Sequence, residues 1–155
     1  MATLPNRDYR YRVRAFDKVG RASAWATGPT LTPTVAQETS SSADYGGAWV
    51  SASHADYLGG KVLASQAKGS DVTFTFDGPS FGLVGPTGPT RGKANLYLDG
   101  DLLLTIDTYS SSFKARRVIQ TIFTSDDRHT ITVRVLGTTG RPWVAVDAFF
   151  VLKRS

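Results

Sequence analysis

Apolar and polar residues alternate one for one along most of this chain, in short runs about ten residues apart. Val72, Phe74 and Phe76 alternate with Thr73 and Thr75, and Ile131, Val133 and Val135 alternate with Thr130, Thr132 and Arg134. Successive side chains of a strand point to opposite faces, so a period of two means a strand with one face buried. The same reading predicts strands over 48–53, 61–65, 72–76, 81–84, 94–98, 102–107, 117–123, 130–136 and 143–152. Gly, Ser and Asp fill the gaps, and Asp99-Gly100 is a strong hairpin signal. No segment has convincing helical periodicity. The expected fold is an all-β antiparallel sandwich.

With 155 residues, 41% of them hydrophobic and 20% charged, the chain can bury a real core. It has no cysteine, which excludes disulfides, thiolate metal sites and cysteine nucleophiles. No apolar run approaches the roughly 20 residues of a spanning helix, so no membrane insertion is expected. Met1-Ala-Thr-Leu-Pro5 lacks a basic stretch followed by an apolar core, and no signal peptide is expected there. Asparagine occurs only at Asn6 and Asn95, and Met1 is the single methionine. That depletion fits a thermostable protein or a GC-biased genome. The formal charge of +5 is uneven: residues 1–21 hold six basic and two acidic side chains, a net of +4. The main body is nearly neutral, which argues against nucleic acid as the partner of the whole protein.

Tyr9 to Phe16, YRYRVRAF, alternates strictly, with Arg10, Arg12 and Arg14 on one face. Asp17 to Gly20 reads as a turn, and Ser23-Ala24-Trp25 as a return strand ending at Gly28-Pro29. Leu4, Tyr9, Tyr11, Val13 and Ala15, followed by Asp17, Gly20, Ser23 and Trp25, resemble the last two strands of a fibronectin type III domain. Leu4 and Tyr9 match that family's tyrosine-corner pattern. Thr30 to Val35, with Pro33, reads as a semi-extended linker. The expected organisation is a fibronectin-like hairpin and linker over residues 1–34, then a sandwich over 35–155.

Several catalytic patterns fail on context. Gly78-Pro79-Ser80-Phe81-Gly82 matches a nucleophile elbow, but strand rather than helix follows Ser80. Gly88 to Lys93 lacks the first glycine and the hydroxyl of a phosphate loop, with Thr87 and Ala94 in their places. His54 and His129, the only histidines, cannot supply the three protein ligands of a catalytic zinc. Asp126-Asp127 reads as a charged turn, with no second carboxylate pair at an identifiable separation. The chain reads as a non-enzyme.

Residues 35–155 resemble the galactose-binding-like jelly-roll modules of bacterial secreted and surface proteins, many of them carbohydrate-binding modules. The resemblance rests on Gln37-Glu38, Gly46-Gly47-Ala48-Trp49, Tyr57-Leu58-Gly59-Gly60, Arg91-Gly92-Lys93 followed by Tyr97, Asp99 and Gly100, Ile106-Asp107-Thr108-Tyr109, and Val146-Asp147-Ala148-Phe149. It implies a non-catalytic module that binds a saccharide or polysaccharide outside the cell or at its surface. It also implies a structural calcium ion held by Glu38 and Asp147, since hard Ca²⁺ takes oxygen ligands; pairing of Glu38 with an arginine or lysine is the alternative.

The saccharide-binding candidates are Trp49, Tyr57, Arg91, Tyr109, Arg141 and Trp143. An aromatic face takes the C–H side of a sugar ring, and an arginine beside it hydrogen-bonds hydroxyls. Each aromatic has core or corner packing as its competing role, and Arg91 has a salt bridge to Asp99 or Asp107. A rival reading is an assembly module that pairs with itself through the N-terminal hairpin. A third, nucleic-acid contact by Arg10, Arg12 and Arg14, is outweighed by a solvated strand face.

Overall fold

In the computed structural model of the chain, residues 5–154 are described, and every pairing between their strands is antiparallel. The strands are β1 Tyr9–Val13, β2 Ala26–Gln37, β3 Ala43–Gly46, β4 Val50–Ser53, β5 Lys61–Ser65, β6 Asp71–Asp77 and β7 Ser80–Thr87. They continue with β8 Lys93–Leu98, β9 Asp101–Asp107, β10 Lys114–Phe123, β11 Arg128–Val135, β12 Val144–Val146 and β13 Ala148–Arg154. One sheet has the order β1-β2-β13-β7-β10 and a second β3-β6-β11-β8-β9; β12-β5-β4 form a small third sheet. This is an antiparallel β-sandwich of jelly-roll type.

Alternation builds the core. β6 buries Val72, Phe74 and Phe76, and β11 buries Ile131, Val133 and Val135. They face Phe81 and Leu83 of β7 and Phe149 and Val151 of β13 in one apolar cluster. Phe74 and Phe149 stack with centroids 4.2 Å apart across the two sheets. A smaller cluster of Tyr57, Val62, Ala64 and Ala145 lies under the third sheet, with Trp143 packed against it.

Three expectations need correction. The linker over Thr30–Val35 is strand: β2 runs unbroken for 12 residues, paired first with β1 and then with β13. The expected boundary at residue 34 therefore falls inside a strand. Pro29 sits where the β1–β2 register slips between Arg10 and Arg12, and Pro33 lies beyond the end of β1. Proline is tolerated at such bulges and edges because no ladder donor is missed there. Second, the segment expected over 48–53 begins only at Val50, while Ala43–Gly46 forms a strand that sequence reading did not mark. Third, the strand expected over 143–152 is two strands. β12 pairs with β5, β13 pairs with β2 and β7, and Asp147 stands between them.

The register divides the molecule into two ends. Lys114 pairs with Thr87 and Lys93 with Asp107, which gathers segments 88–92, 108–113 and 136–143 at one end. Asp77 pairs with Arg128, Leu98 with Asp101, and Leu31 with Arg154, so the N-terminal hairpin projects from the opposite end.

Candidate functional site

The loop Gly88–Gly92 is knitted to its neighbours by backbone. Gly88 bridges Tyr109, and Arg91 bridges Trp143. Gly92 N–H donates to the Trp143 carbonyl (2.8 Å), and the Gly92 carbonyl accepts from Thr108 Oγ1 (2.7 Å). A Cβ at Gly92 would run into the Arg141 carbonyl, so only glycine lets these two segments approach. The loop is thus a fixed platform for Arg91.

Two arginines meet there with different duties. Arg141 is bound to Asp107 by two parallel hydrogen bonds, at 2.5 and 2.8 Å, and also donates to the Arg91 carbonyl at 2.9 Å. The Arg141 bonds, joined by the Tyr109 N–H, hold the Asp107 carboxyl below its usual range. Arg141 also lies 5.2 Å from the centre of the Tyr109 ring. Its guanidinium is consumed in fastening loops. Arg91 has no ion pair among the described residues: Asp107 is taken by Arg141 and Asp99 by His129. Its side chain reaches the Tyr57 hydroxyl at 3.4 Å.

Beside Arg91, Trp143, Val50, Ala52, Ala64 and Thr90 line an open cavity of about 230 Å³. Tyr109, 54% exposed, stands next to it, and Phe113, 43% exposed, completes an aromatic group with His54 and Tyr57. The structure therefore brings Arg91, Tyr109, Arg141 and Trp143 to one end as a shelf of apolar faces with a cation at its edge, whereas Tyr57, expected as a saccharide contact, lies buried beneath it at 7% exposure. Trp49 is elsewhere. Its indole N–H donates to the Gly46 and Asp71 carbonyls, and its ring meets Tyr45 edge-on at 5.1 Å and packs against the core. Phe113 and His54 join the shelf without any sequence pattern to announce them.

Glu38 and Asp147 do come together. Glu38 N–H donates to the Asp147 carbonyl (3.2 Å) where β2 meets β13, and both residues are buried, Asp147 completely. Asp147 Oδ2 accepts from Leu58 N–H at 3.0 Å, while Asp147 Oδ1 and Gln37 Oε1 have no donor among the described residues. Burial, opposed by the Leu58 hydrogen bond and reinforced by the charge of Glu38, pushes the Asp147 carboxyl above its usual range. Tyr45 caps the Glu38 carbonyl at 2.7 Å, and burial raises its hydroxyl.

At the far end, Asp99, His129 and Ser125 line up in the order of a catalytic triad, with contacts of 2.7 and 3.2 Å. His129 Nε2 also lies 3.3 Å from the Ser125 carbonyl, and Asp99 Oδ1 takes the Thr130 N–H at 2.8 Å. That pattern is a clasp between two turns, and the neighbouring Asp126 and Asp127 would oppose an oxyanion. Ser80, the other suspect, is a strand residue paired with Phe123 and Leu152. In the hairpin, Arg12 and Arg14 each lie 4.6 Å from the Trp25 ring centre, and Arg10 donates to Thr30 Oγ1. Leu4 of the tyrosine-corner pattern lies outside the described residues; Tyr9 is partly buried.

Comparison with known proteins returned no matching family model and no matching curated protein. Solved structures do match. A family 36 carbohydrate-binding module of a multidomain xylanase, from the hindgut metagenome of Trinervitermes trinervoides, is 21% identical with a TM-score of 0.54. The match covers 77% of this chain and 95% of that one. A family 35 carbohydrate-binding module from Clostridium thermocellum is 14% identical, with a TM-score of 0.57, over 78% of this chain and 97% of that one. A family 35 module from Cellvibrio japonicus is 11% identical, with a TM-score of 0.56, over 80% and 98%. At these identities the likeness is one of fold.

Proposed function

We propose that this protein is a non-catalytic carbohydrate-binding module, and that the shelf of Arg91, Tyr109 and Trp143, with Tyr57 buried beneath it, takes the saccharide. The observation that carries this is Arg91: a partly buried cation, fixed by a closed loop, beside an apolar cavity and with its carboxylate rivals already engaged. Trp143 and Tyr109 offer ring faces to C–H groups, Arg91 offers N–H groups to hydroxyl or carboxylate oxygens, and Arg141 with Asp107 holds the loops still. Recognition of this kind is shallow, and single sites are weak unless tethering raises the effective concentration. The fold shared with carbohydrate-binding modules supports the reading, and we extend the proposal to an extracellular or cell-surface setting. Among the described residues no helix is long and apolar enough to cross a membrane. Residues 9–31, β1 and the part of β2 paired with it, we read as the closing hairpin of a fibronectin type III-like unit.

The oxygen cluster at Glu38 and Asp147 suits a structural calcium ion. Two carboxylates, the Gln37 amide oxygen and backbone carbonyls would give an all-oxygen set, and Asp147 Oδ1 and Gln37 Oε1 are buried acceptors without a donor among the described residues. No group of three or more acids and histidines is present among the described residues, so amide and carbonyl oxygens would complete the shell. When bound, the ion would add to the positive charge that Arg116 brings toward the Asp147 carboxyl.

The test is binding of the full chain to a glycan and polysaccharide panel, with wild type and Arg91→Ala compared. A hit weakened at least about tenfold by Arg91→Ala, an effect of about 1.4 kcal/mol, with an unchanged melting temperature, is the expected result. Binding that ignores Arg91 would remove the shelf from consideration, and no hit across the panel would remove the function.

A further inference from the structure

Segment 54–60 connects the buried oxygen cluster to the exposed shelf, and its construction is that of a stiff strap. His54 N–H bonds the Gly60 carbonyl (3.1 Å), Tyr57 N–H the His54 carbonyl (3.0 Å) and Gly60 N–H the Tyr57 carbonyl (3.0 Å). Asp56 N–H closes onto His54 Nδ1 at 3.1 Å. Four hydrogen bonds within seven residues make the strap move as one piece.

Its two sides face different chemistry. On one side, Leu58 N–H holds Asp147 Oδ2, and Gly59, at φ +76°, lies so close to Gln37 that an added Cβ would sit 2.8 Å from Gln37 Oε1. These contacts touch the same two side chains that carry the donorless oxygens. On the other side, the Tyr57 ring is buried against Val62, Ala64 and Ala145, and its hydroxyl meets Arg91. Tyr57 and Leu58 are consecutive, so the ring whose hydroxyl meets Arg91 and the amide that holds Asp147 belong to neighbouring residues.

We propose that the strap couples the two sites: a hard divalent cation held by Asp147, Glu38 and Gln37 sets the position of Tyr57 and, through its hydroxyl, of Arg91. This rests on the calcium and saccharide readings given above. A cation drawing on Asp147 Oδ1 and Gln37 Oε1 would orient both side chains and so fix the acceptor for Leu58 and the wall against Gly59. Without it, a buried carboxylate with a single donor and an unsatisfied amide oxygen favours rearrangement, and the strap would shift with them. Tyr57 is thus a positioning residue whose placement the cation controls. Binding linkage requires the converse: saccharide on the shelf raises cation affinity by the same factor.

Hydrogen exchange of the full chain, followed residue by residue with calcium chloride, magnesium chloride or a chelator, tests the coupling. Calcium is expected to raise the melting temperature and slow exchange at 57–60 and at 91–92 by about tenfold, leaving amides 17–23 of the hairpin unchanged. Leu58→Pro removes the connecting N–H at a position where Tyr57 is already extended and proline is accepted. It should keep the calcium-induced rise in melting temperature and lose the protection at 91–92. No rise and no calcium binding in wild type would defeat the calcium reading. A rise with unchanged exchange at 57–60 or at 91–92 in wild type would defeat the coupling and leave the cation site standing.

Discussion

Both ends of this sandwich display arginines beside exposed aromatic rings, yet only one is built as a site. At the shelf, Arg141 is locked to Asp107, the Gly88–Gly92 loop is tied to 108–110 and to 143, and Trp143 stands on a buried cluster that includes Tyr57. At the hairpin, Arg12 and Arg14 flank Trp25, but every residue from Arg10 to Pro29 is exposed. The same residue types therefore have different consequences. Rings fastened to a core keep their geometry when a ligand arrives and lose little entropy on binding; rings on a free ribbon must be ordered first. In the hairpin the cations already serve the rings.

Cutting the chain is the harshest way to break this comparison. Deleting residues 1–25 should leave the sandwich folded, with the melting temperature lower by no more than a few degrees, roughly what 1 kcal/mol does in a domain of this size. Deleting residues 1–37 should abolish cooperative unfolding, because it strips β13 of seven paired positions in β2. If the shorter deletion also dissociates an oligomer, the hairpin is an assembly element, since β1 is a sheet edge with Tyr11 and Val13 exposed. A matched pair of tryptophans sharpens the contrast. Trp143→Ala should weaken saccharide binding at least about tenfold, whereas Trp25→Ala should change it less than about twofold, by titration against whichever glycan the panel finds.

The smallest effect is a pH dependence with a different owner at each end. The Asp107 carboxyl is held low by Arg141, so its contribution is present above the ordinary value of 3.8 and lost as pH falls through the lowered value. His129 is raised, chiefly by its hydrogen bond to Asp99, so its contribution is present below 6.5 and lost as pH rises through the raised value. Melting temperature should therefore sag at the acid edge and again as pH rises past 6.5. His129→Gln should remove the second sag alone, and a second sag surviving that change would dissolve the clasp at Asp99 and Ser125. Each contribution is small, since the carboxylate of each pair is open to solvent.

Most of the fold was legible because half-buried strands advertise themselves by alternation. Lys61–Ser65 is found as read, and the strands read over 72–76, 94–98 and 102–107 differ only by a residue or so at their ends. The failures are informative. Pro29 suggested the end of a strand and Pro33 a linker, although proline's dihedral suits extended backbone at a bulge or beyond a neighbouring strand's end. Ala43–Gly46 is four residues with no apolar period. The run from Trp143 to Leu152 looks like one strand because a chain that changes sheets at Asp147 keeps its apolar character on both sides of the break. In the site, loop composition pointed to Arg91, Arg141, Tyr109 and Trp143. Nothing local marked Phe113, His54 or the pairing of Arg141 with Asp107, which lie 34 residues apart.

Residue order by itself determined the class of fold, the polarity of each strand face and the absence of cysteine chemistry, because alternation and composition act between near neighbours. Which arginine would be spent on a carboxylate and which left open, which tryptophan would be a packing residue, and which buried oxygens would lack donors were decided only in three dimensions. Those outcomes depend on register between strands far apart in the chain, where a shift of one residue would turn every side chain to the other face.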